Sequence, residues 1–164
     1  MNNGTLETTA CDTINAYFCV HYTQYPEIIG RFSIIWNIFE TKIFSQDAKQ
    51  IKIESIASKY EKKLPPLIYE DTCNFFYNRY KNINFLNGLF TKSINNLFCS
   101  ILNTDYKKIN IKHKIYFVLT VAFRFRCNLF HGVKVIDKLD EQTMPINLIT
   151  AFLINFLEFE EENR

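Results

Sequence analysis

The chain has 164 residues, of which 48% are apolar and 16% aromatic, and a formal net charge of +2. This composition excludes a disordered chain and fits one domain with a single core. The five cysteines include no CxxC pair, and no apolar run approaches the roughly 18–20 residues of a membrane span, so we expect a cytoplasmic protein that does not enter the membrane.

The first half of the chain is predicted to be helical after a loose leader at residues 1–8. Apolar residues recur at helical spacing over residues 9–24, and Pro26 suits the first turn of a second helix. That helix carries Ile34, Trp36 and Ile38 away from its main apolar stripe, which predicts burial on more than one side. Within it, Gly30 is either a close-packing point or a weak point.

Further helices are predicted from the positions of capping residues and from apolar spacing. Ser45 is a candidate cap for a helix that runs to about Tyr60, and Asp105 is a candidate cap for a long helix. Helices are also predicted over residues 67–80, 85–102 and 145–161. The sequence contains no internal repeat or linker, so residues 1–164 are predicted to form one all-α bundle of about five to seven helices.

Residues 117–134, FVLTVAFRFRCNLFHGVK, combine an apolar run with the polar residues Arg124, Arg126, Asn128 and His131. At about 100° per residue, Arg124, Asn128 and His131 fall within about 60° of one another on a helix. Arg126 lies roughly 140° from His131. Arg126 and His131 could therefore cooperate if the helix loosens before His131, or if the two residues come from two chains. Arg126 could also act from its own flank of the helix. Within a regular helix, Arg124 is the better partner of His131.

The same helix is apolar on several sides. A core stripe is predicted at Val118, Val121, Ala122, Phe125 and Leu129, whereas Phe123 and Phe130 project from the opposite side. These two rings need cover, which makes a homodimer a reasonable hypothesis. Glu40, on an earlier helix, is either a partner for a site arginine or a surface carboxylate.

Basic residues concentrate in the region that contains this stretch. Between residues 106 and 135 there are seven Lys or Arg and no Asp or Glu. Such a block favours an anionic partner such as RNA, although a solvated helix face would carry the same lysines.

The segment from Arg126 to His131, followed by Gly132, resembles the Arg-x4–6-His signature of the HEPN superfamily of small helical domains, and the segment RFSIIWNIFE looks like their second helix. Arg124 to His131 fits the same signature at its longest spacing. Cys127 stands where many members carry a polar residue, so polar support would have to come from Asn128.

This resemblance implies a homodimeric, metal-independent endoribonuclease without a cofactor, acting as a toxin or a phage-defence effector. His131 would be the general acid or base, Arg126 the phosphate clamp, Arg124 a second or alternative clamp, and Asn128 a supporting residue. The RNA product would carry a 2′,3′-cyclic phosphate. An antitoxin or regulatory protein is a further candidate partner. The alternatives are a non-catalytic HEPN-like module that binds RNA, a nucleotide or a protein, and an unrelated helical protein in which the arginines and His131 stabilise a helix end.

Overall fold

A computed structural model describes residues 25–90, 93–130 and 140–163. These residues form seven α-helices and no strand, so the predicted all-α bundle is confirmed. The helices are α1 (Tyr25–Phe44), α2 (Gln50–Tyr60), α3 (Pro66–Tyr80), α4 (Ile83–Leu89), α5 (Asn96–Asn103), α6 (Ile111–Phe130) and α7 (Thr143–Glu162), with single 3-10 turns at Tyr106–Lys108 and Asp140–Gln142. The predicted leader and the helix predicted over residues 9–24 lie outside the described residues.

Helix α6 is the centre of the bundle. It packs against α2, α3, α4, α5 and α7, and every residue from Ile115 to Ala122 is buried. The ring of Phe117 stacks on that of Phe98 in α5, with centroids 4.4 Å apart. Phe125 meets Phe76 of α3 edge-on at 6.0 Å. The predicted core stripe is therefore in the core, with Leu129 partly buried at its end.

Helix α1 buries one aromatic side and leaves part of its surface in solvent. Phe32, Trp36 and Phe39 are almost fully buried, whereas Ile34 and Ile38 are 63% and 39% exposed. The prediction of burial away from the main stripe is therefore correct for Trp36 and wrong for Ile34 and Ile38, because α1 packs mainly on α7 and the bundle covers only the aromatic side.

Gly30, inside α1, has no packing role. A Cβ placed on it would meet no atom within 4 Å. Of the two alternatives, Gly30 is therefore a weak point of the helix. Glycine costs conformational entropy in a helix, and no neighbouring atom would clash with a side chain at this position.

The corner between α1 and α2 differs from the prediction. Ser45 does not cap α2; it adopts a left-handed backbone conformation with φ 53°, as does Gln46 with φ 64°. The residue before α2 is Lys49, which makes no side-chain capping bond. Glu40 stabilises this corner instead, because its carboxylate accepts hydrogen bonds from Trp36 Nε1 at 2.9 Å and from the Ala48 amide at 3.1 Å.

Two other helix boundaries also differ. The helix predicted over residues 85–102 is divided into α4 and α5, and the Asn95 side chain caps α5 by accepting a hydrogen bond from the Leu97 amide at 2.8 Å. Asp105 caps the short 3-10 turn rather than α6, accepting from the Lys107 amide. The cap of α6 is Asn110, whose side chain accepts from the His113 amide at 2.8 Å, the usual N-cap geometry.

Candidate functional site

The C-terminal end of α4 is held by polar side chains from α6. Asn128 Nδ2 donates hydrogen bonds to the carbonyl oxygens of Gly88 at 3.2 Å and Leu89 at 3.1 Å. Arg124 Nε donates to the same Leu89 oxygen at 3.2 Å. The last carbonyls of a helix have no partner within it. Arg124 and Asn128 therefore satisfy the end of α4 from outside, and we call this arrangement the α4 clamp.

The two clamp residues share one face of α6, as their spacing predicts, since both reach the same carbonyl. Asn128 is 1% exposed, so its side-chain amide lies in the protein interior. Arg124 also lies over the ring of Phe90, with its guanidinium carbon 5.3 Å from the ring centroid. A cation over an aromatic face is attracted to it, which further fixes the guanidinium. The contacts of Arg124 and Asn128 are thus with α4 and the residue that follows it.

Arg126 is partly exposed and lies on a different flank of α6. Two residues after Arg124, it projects about 160° away from that residue in a regular helix. Helix α6 is continuous through Phe130, so it does not loosen between Arg126 and that residue. His131 lies outside the described residues. The loosening of the helix that would bring Arg126 and His131 together within one chain is therefore absent from residues 126–130.

Phe123 packs in part against the same chain. Its ring centroid is 6.3 Å from that of the buried Trp36 in α1. Helix α1 therefore covers part of this ring, and the ring stays partly exposed. Phe130 lies at the end of α6, where its side chain is outside the described part of the structure. The homodimer stays a prediction.

Two lysines of the basic block lie at the opposite end of α6 from Arg126. Lys112 and Lys114 lie near the start of α6, and the helical rise places Lys112 about 20 Å along the axis from Arg126. Lys112 pairs with Glu54 at 2.9 Å, and Lys114 pairs with Glu70 at 2.6 Å. The hydrogen bond and the charge of Lys112 hold the pKa of Glu54 below its usual value. These two lysines tie helices together, so their charge is largely neutralised within the chain.

A buried polar cluster surrounds Lys114 at that end of α6. Tyr106 Oη donates a hydrogen bond to the Glu70 carbonyl at 3.1 Å, and the Lys114 ammonium lies 4.4 Å from the Tyr106 ring centroid. Burial raises the pKa of the nearby Cys73 thiol to about 12 and raises the pKa of Tyr106 above its ordinary value. Both groups therefore stay protonated near neutral pH.

None of the described helices is long and apolar enough to cross a membrane. Comparison of the chain with protein-family models, with curated proteins and with solved structures finds no match. The assignment of function therefore rests on the residues themselves.

The partners of the α4 clamp could not be identified from the sequence. Gly88 and Leu89 contribute backbone oxygens, which any residue would supply, and they lie about 40 residues before Asn128. The sequence indicates that Arg124 and Asn128 share one helix face and act together. It does not indicate which backbone groups they bind.

Proposed function

We propose that this protein is a metal-independent endoribonuclease of the HEPN type, in which Arg126 and His131 carry the chemistry. The proposal is supported by the partly exposed Arg126, which begins the Arg-x4-His pattern of the sequence. Arg126 lies on a different flank of α6 from Arg124 and Asn128, the two residues that contact α4. Arg124 and Asn128 are then positioning residues rather than groups that touch RNA.

The reaction would be the attack of a ribose 2′-oxygen on the adjacent phosphorus. A bond forms between that oxygen and phosphorus, the bond from phosphorus to the 5′-oxygen breaks, and the products are a 2′,3′-cyclic phosphate and a free 5′-hydroxyl. His131 would remove the 2′-proton or donate one to the leaving oxygen, because imidazole titrates near neutral pH. Arg126 would hold the phosphate oxygens, since a guanidinium stays protonated and offers a planar pair of donors.

A site shared between two protomers reconciles this chemistry with the helix. If α6 continued as a regular helix to position 131, Arg126 and His131 would lie about 140° apart on it, and one chain would present the two groups in different directions. A two-fold dimer brings the same surface of both chains together, which lets Arg126 of one protomer face His131 of its partner. The proposed assembly is therefore a homodimer with composite sites, and a toxin or phage-defence role with an antitoxin or regulatory partner follows from the resemblance alone.

RNA cleavage in the presence of EDTA tests the proposal. The wild-type protein should cut RNA and leave 2′,3′-cyclic phosphate ends, whereas Arg126→Ala and His131→Ala should each lower the rate by at least about 100-fold. Arg31→Ala is the matched control, because Arg31 is an exposed arginine paired with Glu27 on α1. A wild-type protein that is inactive on varied RNAs, or full activity in both site variants, would refute the ribonuclease.

Mixing the two inactive variants tests the shared site. In a dimer that exchanges subunits, an equal mixture of Arg126→Ala and His131→Ala chains contains half mixed dimers, and each of these has one intact site out of two. About a quarter of the wild-type activity should therefore return. If both groups act within one chain, the mixture stays inactive.

A non-catalytic HEPN-like module that binds RNA, a nucleotide or a protein partner is the second candidate. It is favoured by the α4 clamp, because two of the four polar residues in the motif region are engaged with backbone carbonyls. Binding of RNA without cleavage by the wild-type protein would select this candidate.

A further inference from the structure

A second set of polar and aromatic side chains lies on the outer face of α3. An open groove of about 560 Å³ is lined there by Asp71, Asn74, Phe75, Asn78 and Arg79 of α3 and by Phe85 of α4. The α3 residues recur three and four positions apart, so they share one face of the helix.

The guanidinium of Arg79 is fixed in place at this groove. Its central carbon lies 4.0 Å from the ring centroid of Phe85, and Nη2 donates a hydrogen bond to the Glu141 carbonyl at 3.3 Å. An arginine held in this way loses little further freedom on binding. Guanidinium planes and aromatic rings are the platforms on which proteins stack unpaired nucleobases.

The polar groups of the groove suit the edge of a base better than a phosphate. Asn78 Nδ2 donates to Asn74 Oδ1 at 3.1 Å, and within the described residues no partner is taken by Asn78 Oδ1, by Asn74 Nδ2 or by the exposed Asp71 carboxylate. A carboxylate repels phosphate but accepts a hydrogen bond from an exocyclic amine, as on cytosine. An asparagine amide can pair with adenine, which also presents an amine.

We propose that this groove binds one unpaired RNA base that carries an exocyclic amino group, and that it discriminates against uracil. The inference deepens the proposed function and rests on it for the choice of RNA as ligand.

Binding of short 2′-O-methyl oligonucleotides tests the groove without cleavage, because the attacking hydroxyl is blocked. Fluorescence anisotropy should give tighter binding of an adenine or cytosine hexamer than of the uracil hexamer. Arg79→Lys keeps the charge but removes the plane, and it should weaken binding of the preferred hexamer about tenfold, within the range for loss of one base stack. Asp71→Asn should reduce the preference over uracil.

The matched control is Arg31→Lys, the same change at an exposed arginine of α1, which should leave binding unaltered. Equal binding of all hexamers, no binding by the wild-type protein, or equal effects of Arg79→Lys and Arg31→Lys would overturn the proposal. The cleavage assay separates this outcome from failure of the proposed function. Base-selective binding without cleavage would support the groove and refute the ribonuclease. Cleavage by the wild-type protein, with binding unchanged in Arg79→Lys and Asp71→Asn, would refute the groove and support the ribonuclease.

Discussion

Replacing Asn128 by alanine removes one side of the α4 clamp. The substitution deletes two hydrogen bonds, to the carbonyls of Gly88 and Leu89 at 3.2 and 3.1 Å, from a side chain that is 1% exposed. Each such bond contributes about 0.5–1.5 kcal/mol net. Leu89 keeps its bond from Arg124, and Gly88 is exposed enough for water to replace the lost donor. We therefore expect a loss of about 2 kcal/mol, not the larger cost of two orphaned carbonyls.

This loss should lower the midpoint of thermal unfolding by about 4–8 °C for a chain of this size, measured by circular dichroism. Asn128→Asp should destabilise the protein more at neutral pH, because a carboxylate would face two carbonyl oxygens. Asn37→Ala is the control, since Asn37 is an exposed asparagine on α1 and alanine is the better helix former.

Hydrogen exchange would locate the effect. The Phe90 amide donates to the Leu86 carbonyl at 3.0 Å at the end of α4, so its exchange should accelerate in Asn128→Ala before that of amides in the middle of α6. A change in stability below about 0.5 kcal/mol, or unchanged exchange in α4, would refute the view that α6 holds this helix in place.

Three further predictions follow from single residues. Gly30→Ala should stabilise the protein by about 0.5–1 kcal/mol in urea unfolding, because the added methyl meets no atom within 4 Å; a loss of stability would contradict this. Burial raises the pKa of the Cys73 thiol to about 12, so Cys73 should resist alkylation at pH 8 until the protein unfolds. Equal labelling of Cys73 and the partly exposed Cys99 in the native protein would contradict this expectation. The pKa of Glu54 is lowered by its bond to Lys112, so its contribution to stability is present above about pH 4.5 and is lost as the pH falls. The stability difference between the wild-type protein and Glu54→Gln should then shrink in acid, and a difference independent of pH would argue against this ion pair.

The helical class and the faces of α6 could be predicted because they depend on local periodicity. The spacing of Arg124 and Asn128 places them on one face, and both do reach the same carbonyl of α4. The apolar stripe from Val118 to Phe125 is buried for the same reason. The contacts of these residues could not be predicted in the same way. They are made with backbone atoms far away in the sequence, and the spacing of side chains along one helix does not identify those atoms.

The helix caps show where local signals become ambiguous. Asp105 and Asn110 are both good capping residues five positions apart, and the chain uses each, one for a 3-10 turn and the other for α6. Ser45 matches the capping preference but takes a left-handed conformation at the end of α1, while Glu40 satisfies the start of the next segment from within α1. A contact across a corner of the fold outweighed the preference of a single residue.

The basic block illustrates a different limit. Lys112 and Lys114 lie far from Arg126 along α6, and they pair with acidic residues of α2 and α3. Proximity in the sequence overstated the local positive charge, because a straight helix separates its ends by about 1.5 Å per residue.

Because Trp36 is buried, its fluorescence reports on the packing of α1. This is the single tryptophan of the protein, and its indole lies among the rings of Phe32, Phe39, Phe44 and Phe123, with centroids 6.1–6.4 Å away. Its emission should shift to longer wavelength when α1 separates from α6 and water reaches the indole. Intrinsic fluorescence would therefore follow the detachment of α1 without any added dye.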